Sequence, residues 1–238
     1  MPSGTFVLFS LHRFPERRAR NNSYKTEERR PRGSVDDRSD PVYTSISLSP
    51  AGEHAVADFG HAVAVHRKGV RIEGWWHGNQ ITQVVQQRRF DIYFDHQRAL
   101  FVAHVEKEIA LSAVRDLVRD DETREHFDLR PIEVDFRQII PRALNVIGSW
   151  FKDMTYTNVR TEAAFGDHIT RDAEFMRMSQ LGNHSNLTVV MDFRGQQMKV
   201  NISRIGSAYF MADYPLEDCL EFMVMLHGFR IQEQANNQ

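Results

Sequence analysis

Two carboxylates near the middle of the chain have the spacing of a metal site. Glu133 and Asp135 alternate with apolar residues in the stretch 129–136 (LRPIEVDF), so in a strand they would share one face. Carboxylate oxygens are the ligands that Mg²⁺ prefers, and Asp91 lies in a comparable stretch. The pattern would suit a metal-dependent phosphodiesterase or nuclease. No lysine stands at strand spacing beside the pair, however, and alternating charge is also typical of the solvent-facing side of a sheet.

Histidine is concentrated in the first half of the chain, at His54, His61, His66 and His77. On an extended strand His61 and His66 face opposite sides, and no pair has the i, i+4 spacing of helical metal ligands. Cys219 is the one cysteine, which excludes a disulfide within the chain and a thiolate cluster. We therefore predict no metal site and no cofactor.

The sequence motifs of several large enzyme classes are missing. The chain contains no GxxxxGK phosphate loop, no GxGxxG, no GxSxG and no HExxH. We therefore predict no catalytic residue, and the sequence favours a protein without enzymatic activity over an enzyme.

Two adjacent tryptophans lie among basic residues and form the best candidate binding surface. Neighbouring strand residues point to opposite sides, so at least one of Trp75 and Trp76 must face away from a sheet core. Aromatic rings beside cations suit single-stranded nucleic acid, and they also suit a protein interface. The alternative is that both rings pack beneath a helix or the N-terminal segment. The basic residues are Arg67, Lys68, Arg71, Arg88 and Arg89.

Residues 1–40 are predicted to include a basic, flexible N-terminal arm. Between residues 12 and 40, nine basic residues stand against six acidic ones, with too little apolar surface to offset the entropy of ordering. Such an arm could neutralise phosphates, or it could be a solvated linker. The residues proposed to contact phosphate are Arg17, Arg18, Arg20, Arg29 and Arg30.

Composition and charge limit the broad class of protein. The 238 residues are 41% hydrophobic, which is enough for a sizeable core, and the net charge of −2 means that any nucleic-acid contact must come from a local patch. No apolar run approaches the ~20 residues that cross a bilayer. Because the N-terminus also lacks the pattern of a secretory signal, we expect a cytoplasmic protein without a membrane segment.

The hydrophobic pattern predicts a repeated strand–turn–strand–helix unit around 60–88, 90–118 and 186–228. In the first unit, a turn at 67–69 joins two strands and a glutamine-rich helix follows at 79–88. In the third, Arg194 and Gly195 form the turn. Between the second and third units, a strand at 129–136 and a helix opening at Pro141 are expected.

These elements predict an α+β fold, with a largely antiparallel sheet and helices packed on one face. Residues 41–238 would form the globular region, with a possible sub-division near 120–130.

The sequence thus favours a non-catalytic interaction or accessory protein that binds nucleic acid or a nucleic-acid-handling partner through the arm and the Trp75–Trp76 region. The metal-dependent phosphodiesterase is one alternative. Another is an oligomeric structural subunit that self-associates through the apolar helix Leu216–Leu226.

Overall fold

The computed structural model describes residues 4–16, 22–30, 40–50, 56–76, 79–155 and 160–231, with the backbone alone at 76 and 79–83. Strands dominate this part of the chain. They are β1 (Thr5–Arg13), β2 (Ser23–Lys25), β3 (Tyr43–Leu48), β4 (Gly60–Trp76), β5 (Asn79–Asp95), β6 (Leu100–His104), β7 (Asp128–Pro131), β8 (Asn145–Lys152), β9 (Thr161–Phe165), β10 (Asn183–Phe193), β11 (Gln196–Ser203) and β12 (Ser207–Phe210). The helices are α1 (Lys107–Arg119), α2 (Phe136–Ile139), α3 (Ala173–Leu181) and α4 (Leu216–Gly228), with 3-10 turns at Ile140–Arg142 and Ile169–Arg171.

The α+β prediction is wrong. The described residues form a mostly antiparallel β structure, and their few helices do not form a layer on one face of a sheet. Two of the expected helices are strands instead. The stretch 79–88 belongs to β5, and the stretch after Pro141 becomes β8 within a few residues.

Long-range pairing explains why these two segments are strands. Val84 and Val85 have helical spacing with Ile81, but they lie opposite Val70 and Gly69 of β4. β8 is paired on both sides, by β10 and by β9. An isolated helix of about ten residues is marginal in water, so pairing with the neighbouring strands prevails. For the same reason the turn expected at 67–69 is absent, and β4 runs straight through it.

The strands and helices of the other two predicted units are confirmed. β5, β6 and α1 follow one another as expected, and so do β10, β11, β12 and α4. Arg194 and Gly195 form the tight turn between β10 and β11, with φ values of 53° and 78°. Positive φ at both central positions is the feature of the hairpin turn that matches strand twist.

The chain divides into two compact units, Leu11–Arg130 (the N-terminal unit) and Met1–Ser10 with Pro131–Gln238 (the C-terminal unit). In the N-terminal unit the strand order is β2-β3-β4-β5-β6, and Leu11 of β1 donates its N–H to the carbonyl of Ala99 at 2.9 Å. One sheet face is buried: Ala62 and Ala64 of β4 lie opposite Ile92 and Phe90 of β5.

In the C-terminal unit the strand order is β1-β12-β11-β10-β8-β9. Phe222 of α4 packs edge-on against Phe210 and Phe193, with ring centroids 5.5 and 5.6 Å apart. Six side chains of α4 are buried: Cys219, Leu220, Phe222, Met223, Leu226 and His227. The apolar surface that the sequence offered for self-association is therefore largely used within the chain.

Candidate nucleic-acid interface

The two longest strands form a hairpin that continues beyond the rest of the N-terminal sheet. β3 pairs with β4 as far as Arg67, and β6 pairs with β5 as far as Asp91. Over 68–76 and 79–90 the pairing recorded for the described residues is between β4 and β5 alone. We call this two-stranded extension the ribbon. At about 3.3 Å per residue, the nine residues of its β4 strand span about 30 Å.

The strand register divides the predicted basic residues between the two faces of the β4–β5 hairpin. Arg88 lies opposite His66 and therefore shares a face with Lys68, two residues along β4. Arg89 lies opposite Val65 and shares the other face with Arg67 and Arg71. Lys68, Arg71, Arg88 and Arg89 are all exposed, and Glu73 is the one acidic residue of the ribbon.

A β-bulge alters the direction of the last residues of β4. Arg71 pairs with Gln83 and Gly74 with Ile81, so β4 has one extra residue in this interval. Trp75 lies opposite Gln80, which is an even number of residues from Arg88 along β5. Trp75 therefore lies on the same face of the hairpin as Lys68 and Arg88. The Trp75 side chain is 73% exposed, which places it outside any core. The side chain of Trp76 lies outside the described part of the chain.

Arg67 is held by other groups. Its guanidinium bonds the Asp40 carboxylate at 3.1 Å and lies over the Tyr43 ring, 5.5 Å from the centroid. Its Nε is buried, and no group among the described residues bonds it; 18% of the side chain is exposed. Arg67 therefore contacts Asp40 and Tyr43 where the ribbon begins, and its guanidinium is already bonded to a carboxylate.

The residues of the predicted arm divide into two groups. Arg29 and Arg30 are described and exposed, and Arg29 bonds the carboxylate of Asp120. Arg17, Arg18 and Arg20 lie outside the described residues, so the arm as a phosphate contact stays a prediction.

Strand pairing brings together Ser49, which the sequence analysis did not single out, and His61 and Asp91, which it considered only as metal ligands. The Oγ of Ser49, just after β3, lies 2.6 Å from Nδ1 of His61 on β4. Nε2 of His61 lies 3.0 Å from Oδ1 of Asp91 on β5. A serine, a histidine and a carboxylate bonded in this order could move a proton from the hydroxyl to the imidazole. Only the cross-strand register joins residues so far apart in sequence, so no local motif could have revealed them.

The pKa values of two neighbouring side chains on the same sheet, Tyr93 and His104, are shifted. Burial, with a smaller effect of the Asp91 charge, raises the pKa of Tyr93 to about 12. Burial lowers the pKa of His104, against the opposing effect of Asp91. Tyr93 therefore stays protonated at neutral pH, and His104 is stabilised in its neutral form.

The paired carboxylates singled out by the sequence are each bonded to arginine. Glu133 bonds Arg204 at 3.1 Å, and Asp135 bonds Arg137 at 2.9 Å while its Oδ1 also caps α2. The hydrogen bond from Arg137 lowers the pKa of Asp135. Among the described residues, no group of three or more His, Cys, Asp or Glu side chains could hold a metal ion.

No protein-family model matches this chain, and the search of curated proteins finds no significant match either. None of the helices in the described ranges is long and apolar enough to cross a membrane. The assignment of function therefore depends on the geometry of the two units alone.

Proposed function

We propose that this protein is a non-catalytic nucleic-acid-binding protein and that the ribbon enters a groove of a duplex. The observation that carries the proposal is a two-stranded projection with exposed basic side chains on both faces. A two-stranded ribbon fits the major groove of B-DNA, which is about 12 Å wide. Lys68, Arg71, Arg88 and Arg89 are placed to neutralise phosphates, while Gln86 and Gln87 offer amides that can bond base edges.

The test is fluorescence anisotropy with labelled double- and single-stranded DNA and RNA at several salt concentrations. A variant with Lys68, Arg71, Arg88 and Arg89 changed to Gln should bind duplex more weakly. If all four contact phosphate, the slope of log affinity against log salt should fall by about 3 to 4, since each contact contributes about 0.9.

A matched control removes the same charge elsewhere. Arg119, Lys152, Arg171 and Lys199 are exposed and lie off the ribbon. Changing these four to Gln should leave the salt slope near that of the original chain. Equal losses in both variants would show that net charge alone causes binding and would contradict the proposal. Binding confined to single strands would replace the groove with a stacking surface around Trp75.

A second candidate function, serine-dependent hydrolysis of an ester, is favoured by the bonded series Ser49–His61–Asp91. In this reaction, Nδ1 of His61 takes the proton of the Ser49 hydroxyl as Oγ attacks the ester carbon. Asp91 accepts from Nε2–H and stabilises the imidazolium that forms. The imidazolium then returns the proton to the leaving alcohol, and water releases the acyl group from Ser49.

A fluorophosphonate probe distinguishes this candidate from nucleic-acid binding. Labelling of Ser49, lost in Ser49→Ala and in His61→Gln, would support a hydrolase. Ser47→Ala is the matched control, because Ser47 is an exposed serine two residues earlier in the chain, on β3. Absence of labelling in the unmodified chain would eliminate the second candidate and leave the ribbon proposal intact.

Three earlier expectations remain predictions without new support: the metal-dependent phosphodiesterase, self-association through α4 and the cytoplasmic location. A protein partner for the ribbon is the outcome to pursue if no nucleic acid binds.

A further inference from the structure

The far end of the ribbon holds a large apolar side chain in solvent. Trp75 is 73% exposed, and its partner Gln80 belongs to the second-last pair recorded for the hairpin. An indole gains much free energy when its apolar surface is removed from water, and here the fold of the N-terminal unit supplies little of that gain. Most of this ring is therefore available to a bound molecule.

The face of the ribbon that carries Trp75 changes character along its length. Lys68 and Arg88 make it cationic where the ribbon begins. Val70 and Val84 lie opposite one another further along the same face, and Val84 is 39% exposed. Lys68 and Trp75 lie about 20 Å apart along the ribbon, because six residues of β5 separate their cross-strand partners. The face is therefore charged at one end and apolar toward the other.

This order of side chains fits the groups that a DNA duplex presents. Phosphates attract cations, whereas base pairs present π-faces and, in the major groove, thymine methyl groups that apolar side chains contact. A large apolar side chain can enter between two base pairs, partly unstack them and kink the duplex. Duplex RNA is a poorer match, because the major groove of A-form RNA is deep and narrow and does not admit side chains.

The free-energy terms decide where such an insertion occurs. Unstacking a base step opposes insertion, and stacking of the indole on the bases above and below it offsets that cost. Pyrimidine–purine steps such as TA and CA are the easiest to unstack. Insertion by Trp75 is therefore most favourable at such a step.

We propose that Trp75 inserts between adjacent base pairs of DNA and that the protein bends the duplex it binds. This inference rests on the proposed function, since the ribbon must first enter a groove. It adds a substrate class, double-stranded DNA with a flexible step, and a further activity, bending.

The test is fluorescence resonance energy transfer between dyes at the two ends of a DNA duplex of about 30 base pairs with one central TA step. Binding of the full chain should raise the transfer efficiency, as expected for a kink of about 20–90°. Salt-sensitive binding without a change in transfer would overturn this inference and leave the ribbon proposal intact. Absence of binding to any duplex would overturn both.

Variants assign the bend to the indole. Trp75→Ala should abolish the rise in transfer and weaken binding about tenfold, with an unchanged salt slope because no charge is removed. Trp75→Phe keeps an aromatic ring and should retain part of the bend. Phe165→Ala is the matched control, because Phe165 is a 64% exposed aromatic residue of the C-terminal unit, and it should bend DNA like the original chain. An undiminished bend in Trp75→Ala would overturn the inference.

Discussion

Arg29 donates a hydrogen bond of 2.8 Å to the carboxylate of Asp120, and the Asp120 side chain is only 4% exposed. The other oxygen of this carboxylate accepts from the backbone N–H of Glu27 at 3.2 Å and of Glu122 at 3.1 Å. The buried carboxylate of Asp120 therefore links residues 27–29 to the loop that follows α1 through hydrogen bonds. Arg29, which the sequence offered as a phosphate contact, serves the fold of the N-terminal unit.

We expect Asp120→Ala to lower the free energy of unfolding by about 3 kcal/mol, because it leaves two backbone donors and one guanidinium without their partner. Arg29→Gln should cost about 1 kcal/mol, since the carboxylate keeps its backbone bonds. Urea unfolding measures both. Asp121→Ala is the control: its side chain is 83% exposed and bonds Arg124 at the surface, where an ion pair contributes less than about 1 kcal/mol. Equal effects at Asp120 and Asp121 would contradict this account.

Acid should destabilise the C-terminal unit through His227. Burial, with a smaller effect of Arg230, lowers the pKa of His227 from 6.5 to about 4. The unfolded chain therefore takes up a proton below pH 6.5, whereas the folded chain stays neutral until about pH 4. The stability contributed by the neutral imidazole is complete above pH 6.5 and is lost as the pH falls to about 4. The loss is on the order of 3 kcal/mol.

The measurement is urea unfolding from pH 7.5 to pH 4 for the original chain and for His227→Leu. The leucine variant should show a weaker pH dependence, and it also removes a buried Nε2 that no group in the described part of the chain bonds. His184 acts in the same direction, because its pKa is lowered to about 4, so part of the slope should remain. An unaltered slope in His227→Leu would show that this residue is not the cause.

The Trp75 ring should matter for binding and not for folding. Because 73% of the side chain is exposed, Trp75→Ala should change the free energy of unfolding by less than about 0.5 kcal/mol. If the ring stacks on a base, the same change should weaken binding to single-stranded or frayed nucleic acid by about 1–3 kcal/mol. Trp150→Phe is the comparison, since Trp150 is only partly exposed on β8 of the other unit. A large loss of stability in Trp75→Ala would mean that the ring is packed.

The limits of the sequence prediction have a physical cause. Local signals placed α1, α4 and the Arg194–Gly195 turn, because periodicity, helix length and turn chemistry are properties of neighbouring residues. The ribbon was missed because Ile81, Val84 and Val85 satisfy helical spacing and β pairing equally well, and the choice depends on Val70 and Gly69 across the hairpin. Sites formed across strands share this dependence: Ser49, His61 and Asp91 meet only through the register of β3, β4 and β5.

Two glycines with similar backbone conformation should respond differently to alanine. Gly195 and Gly206 have φ values of +78° and +73°, where a Cβ costs roughly 1 kcal/mol. A Cβ at Gly195 would meet no atom within 4 Å, whereas a Cβ at Gly206 would lie 2.7 Å from Cγ1 of Ile132, a buried side chain. Gly195→Ala should therefore cost about 1 kcal/mol, and Gly206→Ala should cost a further 1–3 kcal/mol from overpacking. Urea unfolding of the two variants tests this order, and a Gly195→Ala variant as unstable as Gly206→Ala would contradict the packing of Ile132 beneath the turn.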